Sequence, residues 1–182
     1  MNTDTAIKGR TYDMAYTAVF TVIIVICSWI SIPLAVPFTL QTFGIFAAIG
    51  TLGGKRGTCA IAVYILLGVM GIPVFSGFNG GIGVLLANTG GYILGFLFSG
   101  LIAWGMEALF GRSSRVLILS MALGLLVCYI FGTAWFMFLY TSNTGSIGIG
   151  TVLSWCVLPF ILPDIIKIAL AFTLSKKLKK VL

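Results

Sequence analysis

Asp164 and Lys167 are the residues of this sequence whose type and spacing most clearly point to chemistry, because both sit in an apolar stretch apart from the other cations. Their i,i+3 spacing puts them on one face of a helix and lets the two charges offset each other. An ionisable group in hydrocarbon costs roughly 2.5 to 3.5 kcal/mol on insertion scales, so those that persist face a partner or a cavity. Two readings follow: a self-satisfied ion pair that fixes helix packing, or an acceptor and a donor for a small, weakly charged solute. Pro163 suits the first turn of a helix, and a helix beginning there places Asp164 at the positive end of the helix dipole. Such a helix runs about 13 residues, roughly 20 Å, before the terminal lysines, and puts the pair toward the outer leaflet.

The other polar groups away from the cations are uncharged. The stretch from Ser76 through Asn79 to Asn88-Thr89-Gly90-Gly91 is glycine-rich with two amides, and Thr39-Leu40-Gln41-Thr42 follows Pro37 at the start of an apolar run. A glutamine there needs a partner, either another helix or a ligand. Catalytic machinery is not expected. The chain has no histidine and no serine or cysteine beside a base, so neither a hydrolase triad nor a metal site assembles. Cys27, Cys59, Cys128 and Cys156 form no C-x-x-C pair and read as packing residues. No G-x-x-x-x-G-K-[ST] loop is present, so an ATP motor, if one drives this chain, lies on another polypeptide.

The elements that must position these groups are membrane helices. With 59% hydrophobic and 8% charged residues, the composition lies far from that of a soluble domain. At about 20 residues per crossing, 182 residues form one all-α domain, 1–182, of six transmembrane helices. The apolar runs are 14–32, 36–53, 58–73, 91–110, 116–140 and a last one ending before Lys176. The first is too long for a signal-peptide core and reads as a span. If both termini share one side, Lys8, Arg10, Lys55, Arg56, Arg112, Arg115, Lys176, Lys177, Lys179 and Lys180 all fall there. The positive-inside rule makes that side the cytoplasm. The net charge of +7 is then explained by topology and anionic membrane lipids, and no nucleic acid is implied.

Small residues recur at helical spacing, as Gly91, Gly95 and Ser99 and as Ser120, Gly124, Cys128 and Gly132. Such stripes let helix backbones approach closely in lipid. Ala15, Ala18 and Thr21 form a further small-residue set, at i, i+3 and i+6, on which a partner helix could pack.

Five segments occur in a recognisable order: Val36-Pro37-Phe38-Thr39-Leu40-Gln41-Thr42-Phe43, Gly71-Ile72-Pro73-Val74-Phe75, Thr89-Gly90-Gly91-Tyr92-Ile93-Leu94-Gly95-Phe96, Gly132-Thr133-Ala134-Trp135, and Pro159-Phe160 with Asp164 and Lys167. Together they resemble the BioY family, the biotin-specific S components of energy-coupling factor transporters. The resemblance covers nearly the whole chain. It departs at Ala87-Asn88, where Gly-Pro is expected, and at Leu162-Pro163, where Pro-Gly is expected.

The resemblance implies a multi-pass subunit of the prokaryotic cytoplasmic membrane. It would capture biotin at the outer face and join an energy-coupling transmembrane subunit and two ATPases. It implies no cofactor: biotin is cargo, and ATP is hydrolysed by the partners. It also places Asp164 and Lys167 in the biotin site, where the carboxylate suits the ureido N–H groups and Lys167 and Asn79 suit the ureido oxygen or the biotin carboxylate. Gln41 and Thr42 join the polar set, and Phe43, Phe75, Tyr92 and Trp135 are expected to line the rings and the tail. In the wider group of S components a small-residue motif of the first helix meets the coupling subunit, which extends to Ala15, Ala18 and Thr21. The other classes weighed are a solitary carrier or channel not powered by ATP, which needs a polar path across the membrane, and a membrane-embedded enzyme, which needs groups this chain lacks.

Overall fold

The computed structural model describes residues 3–34 and 36–178, with side chains from residue 11 onward. The side chains of Lys8 and Arg10, and Lys179 and Lys180 altogether, lie outside the described residues. Helix α1 (Thr3–Trp29) leads into a two-stranded antiparallel ribbon, β1 (Ser31–Ile32) and β2 (Phe38–Thr39). Then follow α2 (Gln41–Leu52), α3 (Gly54–Val69), a 3-10 turn (Ser76–Phe78), α4 (Ile82–Leu86), α5 (Gly90–Phe110), α6 (Ser114–Thr144), α7 (Ile149–Cys156) and α8 (Leu158–Leu178).

Among the described residues, four stretches are long and apolar enough to cross a membrane: Thr11–Trp29, Gly90–Phe110, Ser114–Thr144 and Ile149–Leu178. The chain is a multi-pass membrane protein. The second and third apolar runs give shorter helices, α2 of 12 residues and α3 of 16, against the ~20 that a full crossing takes. The run from Val36 becomes helical only at Gln41, because Pro37 lies before the ribbon strand β2 and Thr39 Oγ1 accepts from the Gln41 N–H at 3.1 Å. Every residue of α2 except Phe43 is buried, which matches a helix that is apolar on all sides and serves as the centre of the core.

Small residues set the closest packing. On α5 and α6 a Cβ at Gly95 would come within 2.9 Å of Cys128 Sγ, and one at Gly124 within 3.0 Å of Ser99 Cβ. Ser99 donates to the Gly124 carbonyl at 2.7 Å across the same seam, so the two small-residue stripes face each other.

One end of the bundle gathers the described cations other than Lys167 and is tied by polar contacts. Arg56 pairs with Asp13 of α1, Arg112 donates to the Thr51 carbonyl at the end of α2, and Glu107 accepts from the Gly54 N–H at 2.7 Å. The α2–α3 corner passes through Gly53 at φ 89°, a conformation side chains disfavour. At Gly54 a Cβ would lie 2.4 Å from the Trp104 backbone.

The last helix differs from the sequence expectation. Pro163 lies inside α8, which begins at Leu158. It is Pro159 that occupies the first turn, where the missing N–H breaks no helical bond. Asp164 therefore sits within the helix and not at its positive end, so the dipole argument does not apply.

Candidate functional site

A cavity of about 160 Å³ opens in the half of the bundle away from the cations of the loops and helix ends, with Lys167 in its wall. A single water needs ~10–15 Å³ by the same kind of measure, so the space suits a small organic molecule. Its walls come from the segment around β2 and the start of α2, the loop between α3 and α5, the outer part of α5, the middle of α6, and α7–α8. Proline, glycine and short elements shape two of these walls, so the chain can turn its polar side chains inward where a continuous helix would not.

The acid and base of α8 form the polar floor. Asp164 and Lys167 are 3% and 5% exposed, and Lys167 Nζ donates to Asp164 Oδ1 at 2.8 Å. The ammonium also lies 4.3 Å from the centroid of the Phe38 ring, a cation–π contact, and Phe38 in turn stacks on Phe160. The second carboxylate oxygen is held from α6, where the Tyr129 hydroxyl donates to Asp164 Oδ2 at 2.6 Å.

The neutral groups are placed by local structure. Gln41 Nε2 donates to the Tyr64 hydroxyl at 2.9 Å, so its partner is another helix, while its side chain still borders the cavity. Asn79 donates to the Ser76 carbonyl at 2.8 Å within the outer loop. Tyr92 shares a hydrogen bond with Thr133 at 2.9 Å. Among the described residues, no buried side-chain nitrogen or oxygen lacks a partner. The wall is built and satisfied before any solute enters, and what it offers is spare capacity: carboxylate lone pairs, amide groups and hydroxyls around an apolar middle.

The comparisons with known proteins bear on what such a wall receives. The chain matches the BioY family over residues 1–182. The chain belongs to the BioY family. It is 40% identical over 163 residues to the "Biotin transporter BioY" of Thermotoga maritima, covering 89% of this chain and 92% of that protein. It is 38% identical over 168 residues to the "Probable biotin transporter BioY" of Pyrococcus horikoshii, covering 92% and 96%. A crystal structure at 2.1 Å of "the S-component for biotin from an ECF-type ABC transporter" superposes with a TM-score of 0.81 at 31% identity, over 99% of this chain and 95% of that one.

In this BioY chain the cavity gathers Asp164, Lys167, Asn79, Gln41, Thr42, Phe75 and Tyr92 from the residues singled out in the sequence. Phe43 and Trp135 are not in its wall. Phe43 is the partly exposed residue of an otherwise buried α2, and Trp135 directs its indole N–H to the Ala87 carbonyl, 3.1 Å away at the outer loop. Thr39, Ser76 and Thr89, from the polar and glycine-rich stretches of the sequence, line the cavity as well, and so does Tyr129, which no sequence motif marks. Of the small residues on α1, Ala15 and Ala18 are exposed. Thr21 is 3% exposed and donates to the Ala60 carbonyl of α3 at 3.2 Å, so its hydroxyl faces inward, while the residue borders with Ala18 a groove between α1 and α3.

Proposed function

We propose that this chain binds biotin with high affinity and serves its uptake as the S component of an ECF-type ABC importer. The observation that carries the reading is the buried Asp164–Lys167 pair in the wall of a solute-sized cavity, in a chain whose family relatives are named biotin transporters. Biotin's cyclic urea has two N–H donors and one carbonyl acceptor. Asp164 accepts from a ureido N–H group. Lys167 and Asn79 donate to the urea oxygen or to the biotin carboxylate, and Gln41 and Thr42 extend the polar wall. Phe75 and Tyr92 flank the rings and the tail, as apolar walls do in small-molecule sites. The protein is a transporter subunit and not an enzyme.

The topology proposed with this function is one domain, 1–182, of six crossings, with α2 and α3 as the short pair and α7–α8 as the last. The chain resides in the cell membrane with both termini in the cytoplasm. This reading is supported by the charge distribution, since Lys55, Arg56, Arg112 and Arg115 lie in the loops and first helical turns at one end, and Lys176 and Lys177 in the last turn of α8. The cavity then faces outward. Ala15 and Ala18 give α1 a flat surface for the energy-coupling subunit, and ATP is hydrolysed by two further subunits.

Equilibrium binding of labelled biotin to the purified protein tests the reading. Saturable binding that unlabelled biotin competes away is expected; its absence in folded protein would overturn the assignment.

A further inference from the structure

Tyr129 is the cavity residue that the sequence does not advertise, and its bond to Asp164 has a consequence for recognition. Helix α8 packs chiefly on α2 and α7, whereas α6 packs chiefly on α5. The 2.6 Å bond from the Tyr129 hydroxyl to Asp164 Oδ2 therefore joins, in the cavity wall, two helices that pack chiefly on other partners. Its length is that of a charge-assisted bond.

The terminal torsion of an aspartate is broad, so a single partner does not fix the carboxylate plane. Lys167 on Oδ1 and Tyr129 on Oδ2 together do. A carboxylate has about four acceptor positions; two are taken, and one on each oxygen remains. A phenol has one proton, and here it is spent on Asp164, so the Tyr129 oxygen can only accept. The cluster thus holds the free carboxylate lone pairs at a fixed angle beside the remaining Lys167 donors, an arrangement that suits one N–H group of a cyclic urea.

We propose that Tyr129 is a positioning residue of this site, orienting the Asp164 carboxylate so that ligands are selected for an N–H donor aimed at it. The proposal rests on the biotin reading above.

The test uses purified full-length protein, with Tyr129→Phe made alone and together with Asp164→Asn. Binding is measured for biotin and for biotin methylated on a ureido nitrogen, alongside thermal melting. Phe keeps the ring and its packing. Tyr129→Phe is expected to weaken biotin by about tenfold and the methylated analogue by less, so that selectivity between them narrows. In the Asp164→Asn background the same change is expected to add little, because the group it orients is gone. A purely structural tyrosine would lower the melting temperature and leave the selectivity ratio unchanged, which would overturn the proposal. Wild-type protein that binds biotin while Tyr129→Phe behaves identically would overturn it alone; wild-type protein that binds no biotin would overturn the underlying reading with it.

Discussion

Asp164 with Lys167 and Asp13 with Arg56 are joined at the same 2.8 Å, yet they belong to different regimes. The side chains of the first pair are 4% and 6% exposed, and those of the second 41% and 49%. Exposed pairs contribute about 0–1 kcal/mol, because water screens them and two long side chains must be ordered. Breaking a buried pair costs about 3–5 kcal/mol, since a charge is left without a partner. Between them stands Glu107, whose side chain is 16% exposed and which lies 3.5 Å from Arg112 while accepting from the Gly54 N–H at 2.7 Å. Distance alone does not rank these groups. Burial does: the most buried pair borders the enclosed cavity of the candidate site, whereas Asp13 and Arg56 border a more open groove between α1 and α3.

That ranking can be broken by substitution, beginning where the effect is largest. Asp164→Asn replaces an acceptor-only group with one that also donates, and hydrogen bonds to charged groups are worth about 1.5 to 3 kcal/mol. Biotin affinity, measured by equilibrium binding, is expected to fall by roughly one to two orders of magnitude. Glu107→Gln comes next. It weakens the tie between the α2–α3 corner and α5, and is expected to cost about 1–2 kcal/mol of stability in a melting or denaturant experiment with biotin affinity unchanged. Asp13→Asn is the smallest, with stability expected to move by about 0.5 kcal/mol or less. A large loss of biotin binding from Glu107→Gln would erase the distinction between the two ends of the bundle.

The sequence makes one part of the site plain. Charges in an apolar run are rare enough to be read individually, so Asp164 and Lys167 stand out, and Asn79, Gln41 and Thr42 stand out as polar groups in apolar or glycine-rich surroundings. Tyr129 does not, because a tyrosine in a membrane helix reads as packing and nothing in its 35-residue separation from Asp164 is periodic. Trp135 misleads in the opposite sense, since an aromatic beside a recognisable motif can bond the outer loop as well as a ligand.

The elements divide similarly. The long α5 and α6 follow directly from their apolar length and small-residue stripes. The two-stranded ribbon and α4 are too short to leave a pattern. Pro163 is misread because proline usually opens a helix, whereas in membrane helices an interior proline is tolerated when neighbours re-satisfy the freed backbone. The bond from Thr21 to α3 leaves no mark in the small-residue spacing, although two steps of three residues turn the helix by about 120° from Ala15, far enough for the hydroxyl to reach the Ala60 carbonyl.

The account stands or falls on whether the buried pair is a ligand site or a packing device, and a double-mutant cycle separates the two. Asp164→Asn, Lys167→Met and the double variant would each be measured for biotin affinity and thermal stability. Both single variants are expected to lose stability, because each leaves one charge of the pair unbalanced. The double variant removes both charges and is expected to recover folding. If the pair forms the biotin site, that folded double variant still fails to bind biotin. A double variant that regains stability together with nearly full biotin affinity would contradict the account.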